Sequence, residues 1–464
     1  MRHFDLVIIG SGSGNSLIDE SLDGQRVALV DKGIFGGTCL NVGCIPTKMY
    51  VHPANLASTP ERAARLGVGL RRESVDWVGI RDRIFTRIDA ISSGGEDWRR
   101  RADNVTLYRE RGRFTGERTF VVGDEEITAD RFVVAAGSRP VVPDVPGVEQ
   151  EWFEHGATTR PAWAHTSDTV MRIDALPASM VIVGGGFVAA EFAHVFASFG
   201  VDVTIVLRSD RMLREEDADV SARFTDLMAR RVRLVRGTTV AEVRAEADGS
   251  GATVVGEDGS THHGDLVLFA TGRVPNGDTL DLPKAGIGVD DAGRVVVDAY
   301  QRTTAEGVFA LGDVSNRWQL KHVANAEMRV VKHNLAHPDA MIRSDHRFVP
   351  HAVFSEPQVA SVGLTEQEAR DAGLDVVTAH QDYGSIAYGW AMEDDTHFAK
   401  LVAERGTGRL LGAHIIGPEA SVLIQPLIQA MSFGLGAREM ATGQYWIHPA
   451  MTELVENALL ALDL

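Results

Sequence analysis

This 464-residue chain has almost no cysteine: Cys39 and Cys44 are the only two. It has no long apolar run either. None approaches the ~20 residues of a membrane-spanning helix, and Leu6 to Ile9, behind Met1-Arg2-His3-Phe4-Asp5, is too short for the core of a signal peptide. Positive charge is in deficit, with 46 Lys and Arg against 64 Asp and Glu and a formal net charge of −18. That balance argues against nucleic acid or an anionic membrane surface as partner. Lysine is scarce, six of the 46 basic residues, a skew that fits GC-rich coding and says little about mechanism. What is plentiful is glycine, 47 residues, in a chain long enough for about three domains of ~150 residues each.

The two cysteines stand together in Gly36-Gly37-Thr38-Cys39-Leu40-Asn41-Val42-Gly43-Cys44-Ile45-Pro46-Thr47-Lys48. Two small buried hydrophobes would be one use of them. A zinc centre would need further Cys or His ligands nearby, so no metal site is expected. A staple closing so short a loop would remove little chain entropy. The flanks favour redox chemistry instead. Glycines let the backbone pass close to a planar ligand, and Lys48, one turn beyond Cys44, favours the thiolate that exchanges disulfides. The pair reads as a catalytic dithiol, and a reactive dithiol without an export signal fits the cytoplasm.

Two nucleotide-binding units are placed by their turns. Asp5-Leu6-Val7-Ile8-Ile9 reads as a buried strand, followed by Gly10-Ser11-Gly12-Ser13-Gly14-Asn15 and an expected helix; a second strand, Val27 to Val30, ends in Asp31. In this context Gly10 makes the turn, Gly12 admits a pyrophosphate, and Asp31 is placed to bond a ribose hydroxyl. Asn15 stands where a third glycine is usual. The second unit runs Met180-Val181-Ile182-Val183, then Gly184-Gly185-Gly186-Phe187-Val188-Ala189-Ala190-Glu191, then the strand Val203 to Leu207. Here the acid expected after the second strand is replaced by Arg208, with Arg211 and Arg214 close behind. An acid would repel a 2′-phosphate and arginine attracts one in a forked geometry, so NADPH is the expected coenzyme.

Two dinucleotide sites and one dithiol need a relay, and a flavin is the natural one because it accepts hydride and passes electrons to a disulfide. Thr303 to Asp313 reads as a strand ending in Gly312-Asp313, suited to a second grip on FAD. Two similar turns, Ala135-Ala136-Gly137-Ser138-Arg139-Pro140 and Ala270-Thr271-Gly272-Arg273-Val274-Pro275, mark passages between domains. Near the end stand His448-Pro449 and Glu453. Pro449 suits the first turn of a helix, and a Glu453 carboxylate bonded to the His448 ring would orient it as the proton donor that disulfide reduction needs. His52 and His322 lack a well-spaced acid, and His52 is expected to pack beneath a flavin-domain helix. The expected cofactor contacts are Gly10, Gly12, Ser13, Gly14, Asp31, Gly37, Thr38, Lys48, Gly137, Asp313, Gly184, Gly186, Phe187, Arg208, Arg214, Gly272 and Arg273.

On the segment Gly36 to Lys48 and the tail His448-Pro449…Glu453, the chain resembles, end to end, the flavin-dependent pyridine nucleotide–disulfide oxidoreductases, the group holding glutathione reductase and lipoamide dehydrogenase. The resemblance implies an α/β fold of two Rossmann-like dinucleotide-binding domains, for FAD and NADPH, plus a C-terminal α+β dimerisation domain. Expected boundaries are 1–145 (FAD, first part, with the dithiol), 146–270 (NADPH), 271–340 (FAD, second part) and 341–464 (interface). It further implies that Cys39 attacks the substrate, Cys44 faces the flavin, and Lys48 pairs with Glu191. It also implies that Phe187 covers the nicotinamide pocket, and that His448 and Glu453 reach the partner subunit's dithiol in a homodimer.

Within the family, Arg208 counts against lipoamide dehydrogenase, which carries an acid there. Glutathione reductase holds a glycine carboxylate with an arginine where this chain runs Asn15-Ser16-Leu17-Ile18-Asp19-Glu20, an acidic replacement that repels glutathione. The segments Gly10 to Ser16 and Thr47 to Ala54 are most similar to members that reduce mycothione, the disulfide of the cysteinyl glucosamine–inositol thiol mycothiol. The alternatives that stay open are another family reductase, a lipoamide-dehydrogenase-like subunit of a multienzyme complex, and a non-catalytic flavoprotein sensor.

Overall fold

The computed structural model describes all 464 residues. Its centre is a sheet built on the strand Arg2–Ile9, which lies parallel between Val27–Val30 and Glu125–Val134, with Leu6 opposite both Val27 and Arg131. Val105–Tyr108 adds a parallel strand outside Val27–Val30, while Thr119–Val122 and Gly112–Gly116 extend the other side antiparallel. All four residues of Val27–Val30 are buried, as expected of a parallel strand covered on both faces. The strand Val308–Ala310 returns from far down the sequence to pair in parallel with Phe132–Val134. This first domain is therefore split, and another is inserted within it.

The inserted unit is a five-stranded parallel sheet in the order Arg233–Arg236, Asp202–Leu207, Ser179–Val183, Leu266–Phe269, Ala164–Thr166. The chain enters and leaves it through Ser138–Pro140 and Arg273–Pro275, which pair antiparallel. The C-terminal part is an antiparallel sheet, ordered His351–Val353, Val359–Gly363, Leu410–Ile416, Phe398–Glu404, Val376–Asp382, with the helices Gln425–Phe433, Ala437–Thr442 and Glu453–Leu460. The fold is thus α/β, two doubly wound units with an α+β domain behind them. No helix is long and apolar enough to cross a membrane.

Three expectations fail locally. The helix expected after the first glycine turn is only two short 3₁₀ turns, Gly14–Leu17 and Glu20–Leu22. Arg99 of the helix Trp77–Arg101 takes the carbonyls of Asn15 (3.1 Å) and Ile18 (3.0 Å) and the Asn15 Oδ1 (2.7 Å), and Asp19 caps the Ser21 N–H at 3.0 Å. Those side chains compete with an α-helical ladder for its carbonyls and N–H groups. Gly14 does the close packing for which a third glycine is usual, since a Cβ there would lie 2.9 Å from Ala135 Cβ and 3.0 Å from Ile8 Cγ2. Pro449 precedes rather than begins the last helix, which starts at Glu453. His52 is exposed rather than packed beneath a helix.

The largest hydrophobic core crosses all three units. Tyr50, Val51 and Ala54 from the helix Cys44–Ala57 meet Phe192 and Phe196 of the inserted domain and Phe398 and Ile416 of the C-terminal sheet. Trp77, 5% exposed, stacks on Tyr50 with ring centroids 5.0 Å apart and touches Phe196 at 5.8 Å. Trp77→Ala is expected to cost about 3–5 kcal/mol, read as a lower denaturant midpoint; an unchanged midpoint would mean that this core does not hold the domains together.

Candidate active site

Cys39 lies in the short helix Gly37–Asn41, and Cys44 is the first residue of the helix Cys44–Ala57. The first of these helices is set by Gly36, whose φ of 101° a side chain rarely tolerates, and by buried Asn41, whose amide donates to Phe35 O (2.9 Å) and Gly37 O (3.0 Å). Both thiols are free, and each is the first influence on the other's titration. The Cys39 thiol is pushed up, first by its neighbour Cys44 and then by burial. Cys44 is pulled down to about 7, first by Cys39 and then, against the enclosure around it, by the Lys48 ammonium. A thiol opening a helix also gains from the dipole. One sulfur is therefore poised as a thiolate near neutral pH and the other as its proton-bearing neighbour.

Lys48, one turn further on, has its Nζ 2.7 Å from both Glu191 oxygens, so the pair expected from the family resemblance is present as geometry. Glu191 is buried in the inserted domain's helix Phe187–Ser198, and its Oε1 also accepts the Phe354 N–H at 2.9 Å. The Lys48 ammonium stands 4.6 Å from the centroid of the Phe354 ring. Phe354 carried no signal in the sequence; it is contributed by the C-terminal unit.

The first glycine turn fits a dinucleotide. Gly10 (φ 112°) backs onto Ala135, where a Cβ would meet the carbonyl oxygen at 2.2 Å. Gly12 meets only Gly37 Cα, at 3.8 Å, leaving its front open for a pyrophosphate. Asp31 holds the turn through the Ser11 N–H and the Gly33 N–H, each at 2.7 Å, while Asp313 Oδ2 accepts from Ser138 Oγ at 2.8 Å. The Gly312 N–H is bonded at 2.7 Å by buried Glu327, which also takes the Asn316 amide. Lys321, the first residue of the helix Lys321–Ala336, donates to Ser13 Oγ at 2.9 Å, and its charge eases Cys39 toward the thiolate. Glu327 and Lys321 were not legible in the sequence, apart from the rarity of lysine.

The second turn repeats the first. Gly184 (φ 128°) backs onto the Ala270 carbonyl oxygen at 2.2 Å, and nothing lies within 4 Å of a Cβ at Gly186. Phe187 opens the following helix with an exposed ring. Arg208 is exposed and makes no ion pair or hydrogen bond within the chain. Arg214, by contrast, pairs with Glu215 at 3.1 Å. Arg273 gives its donors to Ser138 (2.9 and 2.8 Å) and Asp168 (3.4 Å), bracing the crossover ribbon. Gly137 and Gly272 turn with φ of 68° and 122°, with nothing near a Cβ at either, and Thr38 follows Gly37 at the start of the redox helix.

His448 and Glu453 come together, Nδ1 to Oε2, at 3.4 Å. The His448 side chain is 67% exposed, flanked by Tyr445 and Ile447, also exposed, and no bond joins it to the dithiol of its own chain. His322 gives its ring to Pro350 O at 2.8 Å.

Comparison with known proteins agrees with this geometry. Residues 4–327 match the family model described as pyridine nucleotide-disulphide oxidoreductase, and 349–459 match that family's dimerisation domain. A mycothione reductase of Mycobacterium tuberculosis is 53% identical over the whole of both chains. A dihydrolipoyl dehydrogenase of the same organism is 33% identical over 98% of this chain and 97% of its own. Among solved structures, the Cu(II) complex of the HOCl-induced flavoprotein disulfide reductase RclA from Escherichia coli superimposes with a TM-score of 0.85 at 27% identity, covering 99% of each chain. Two matched glycine turns, a dithiol between them and a C-terminal domain behind are the parts of one enzyme family, and this chain belongs to the pyridine nucleotide–disulphide oxidoreductases.

Proposed function

We propose that this enzyme reduces mycothiol disulfide: NADPH and a proton convert one mycothione to two mycothiols. FAD and NADPH are its cofactors, and the flavin supplies the relay of two electrons from the coenzyme to the Cys39–Cys44 disulfide. The observation that carries the reading is the free Cys39–Cys44 pair with the Lys48 ammonium, held 2.7 Å from Glu191, one turn beyond Cys44; Lys48 lowers the Cys44 thiol and Glu191 opposes it. In the reduced pair, Cys39 loses its proton to a base and attacks one substrate sulfur, expelling the first thiol. Cys44 then attacks Cys39, releasing the second thiol and closing the disulfide. His448, oriented by Glu453, gives the leaving thiolate its proton. Because that ring is exposed and unconnected to the dithiol of its own chain, we assign it to the partner's dithiol in a homodimer. The domain boundaries 1–145, 146–270, 271–340 and 341–464, and a cytoplasmic location, belong to the same reading.

The substrate rests on the full-length likeness to mycothione reductase and on charge. Asp19 is neutralised by Lys332, but Glu20 is exposed with no cation beside it, which disfavours the carboxylates of glutathione. The test is turnover with NADPH against mycothione, glutathione disulfide, trypanothione disulfide and lipoamide. Mycothione should lead, and a preference for lipoamide with NADH would overturn the proposal.

Three further outcomes are expected. After partial reduction, the long-wavelength absorbance of a thiolate beside oxidised flavin should persist in Cys39→Ser and vanish in Cys44→Ser. In the wild type it should fade as pH falls through about 7, because Cys44 is a thiolate above that value, and Lys48→Met should move the midpoint upward; a midpoint indifferent to Lys48 would contradict the assignment. Arg208→Gln should raise KM for NADPH by roughly 10–100-fold, as one charge-assisted phosphate contact is worth about 1.5–3 kcal/mol, with NADH little changed. Equal losses with both coenzymes would remove the phosphate-reading role. Finally, mixing inactive Cys39→Ser and His448→Ala dimers should restore activity after subunit exchange, since each mixed dimer owns one site with both native residues. If exchange is confirmed by mass and no activity returns, both residues act within one chain.

A further inference from the structure

The segment from Arg208 to Asp217 leaves the inserted domain's sheet at one end and is fastened into the C-terminal domain at the other. Arg208 follows the strand Asp202–Leu207. Midway, Leu213 turns with φ 49° and donates its N–H to Gly185 O at 2.8 Å, which ties the segment to the second glycine turn. Met212 beneath it is fully buried, its N–H on Thr225 Oγ1 at 3.0 Å and its carbonyl on Ser221 Oγ at 2.7 Å. Then come two buried carboxylates. Glu216 accepts from Ser361 Oγ at 2.5 Å and lies 2.6 Å from His351 Nε2. Asp217 accepts from Lys400 Nζ at 2.9 Å, and Lys400 also holds Asp219 (2.6 Å) and Glu366 (2.8 Å). His351, Ser361 and Lys400 sit on three strands of the C-terminal sheet.

Glu216, Asp217 and Lys400 have side chains only 2–6% exposed. Buried ion pairs are weak evidence for stability, because well-packed apolar residues often do as well or better. What charged pairs in hydrogen-bonding geometry do supply is a fixed position. Glu216 is two residues from Arg214, a span of no more than about 7 Å of chain, and Arg211 donates to Ala218 O at 3.2 Å on the far side of the clamp. The segment therefore cannot shift at Glu216 and Asp217 without moving its arginines.

We propose that Glu216, Asp217 and Lys400 are positioning residues for coenzyme choice: the C-terminal domain holds the arginine segment where it reads the 2′-phosphate of NADPH. This rests on the reading of Arg208 and Arg214 as phosphate contacts. NADH has no 2′-phosphate, so its use is indifferent to the clamp.

The test is steady-state kinetics of the FAD-loaded enzyme with each coenzyme at saturating disulfide, for Lys400→Met, Glu216→Gln, Lys400→Arg and Arg208→Gln. Lys400→Met and Glu216→Gln should each raise KM for NADPH about tenfold, within the range of coupling between contacting groups. They should leave KM for NADH within about twofold and kcat unchanged, and Lys400→Arg should restore most of the loss. Adding Lys400→Met to a variant that lacks both phosphate-reading arginines, Arg208→Gln with Arg214→Gln, should raise KM for NADPH no further, because neither contact is left to misplace. Should Lys400→Met fail to fold, Glu216→Gln decides alone. An Arg208→Gln enzyme that loses its NADPH preference, beside clamp variants that keep theirs or weaken both coenzymes alike, would overturn the clamp alone. An Arg208→Gln enzyme with its preference intact would overturn the phosphate reading and the clamp with it.

Discussion

The ion pair between Lys48 and Glu191 is the contact on which the rest of the site depends. It joins the redox helix Cys44–Ala57 to the helix Phe187–Ser198 of the inserted domain, and the Phe354 N–H and ring bring in the C-terminal unit. Glu191 has a side chain only 6% exposed while Lys48 is 34% exposed, so loss of Lys48 would leave a buried carboxylate without its cation, a cost of up to about 3–5 kcal/mol, whereas Lys48 left alone would be partly solvated. The chain accepts that risk where three domains meet and where Cys44 needs a cation. Here stability and chemistry make the same demand.

The two glycine turns show how one backbone solution serves two cofactors. At each, the first glycine lies against a strand-end carbonyl at 2.2 Å, Ala135 for Gly10 and Ala270 for Gly184. Each strand then runs straight into one arm of the crossover ribbon, Ser138–Pro140 or Arg273–Pro275. The turn, the alanine that supports it and the interdomain connection are one unit, repeated. This is why Arg273, in a motif that looks made for a ligand, spends its donors on Ser138 and Asp168. The repeat differs in one respect: Gly37 touches the first turn, its Cβ position 2.7 Å from Gly12 Cα, and brings the dithiol segment against that turn.

Much of this was legible in the sequence because it depends on short segments. The spacing of Cys39, Cys44 and Lys48 lies on one short helix and the start of the next, and each glycine turn follows a buried strand that its own valines and isoleucines announce. The pairing of Lys48 with Glu191 came only through the family resemblance, since 143 residues separate them. Lys321 and Phe354 were invisible for a related reason: Lys321 reaches Ser13 over 308 residues and Phe354 reaches Glu191 over 163, while Glu327 reaches only 15 residues back to Gly312 but sits in no pattern that marks it. The missing first helix has the opposite cause. Its residues suggest a helix, but Arg99, 84 residues away, takes the carbonyls that the helix would need.

The exposed tail is best understood from surface chemistry. Tyr445 and Ile447 project beside His448, and Phe433 and Val422 are also exposed within the same domain. Singly, exposed apolar side chains need no explanation, but Tyr445 and Ile447 flank His448 in sequence in a segment that matches the family's dimerisation domain. The Glu453 carboxylate lies 3.4 Å from the His448 ring, mostly buried while the ring stands in the open. A carboxylate fixed within the fold and an imidazole held outside it are the arrangement that the proposed shared site requires. Within one chain no bond joins this imidazole to Cys39 or Cys44, which is why it is given to a second copy.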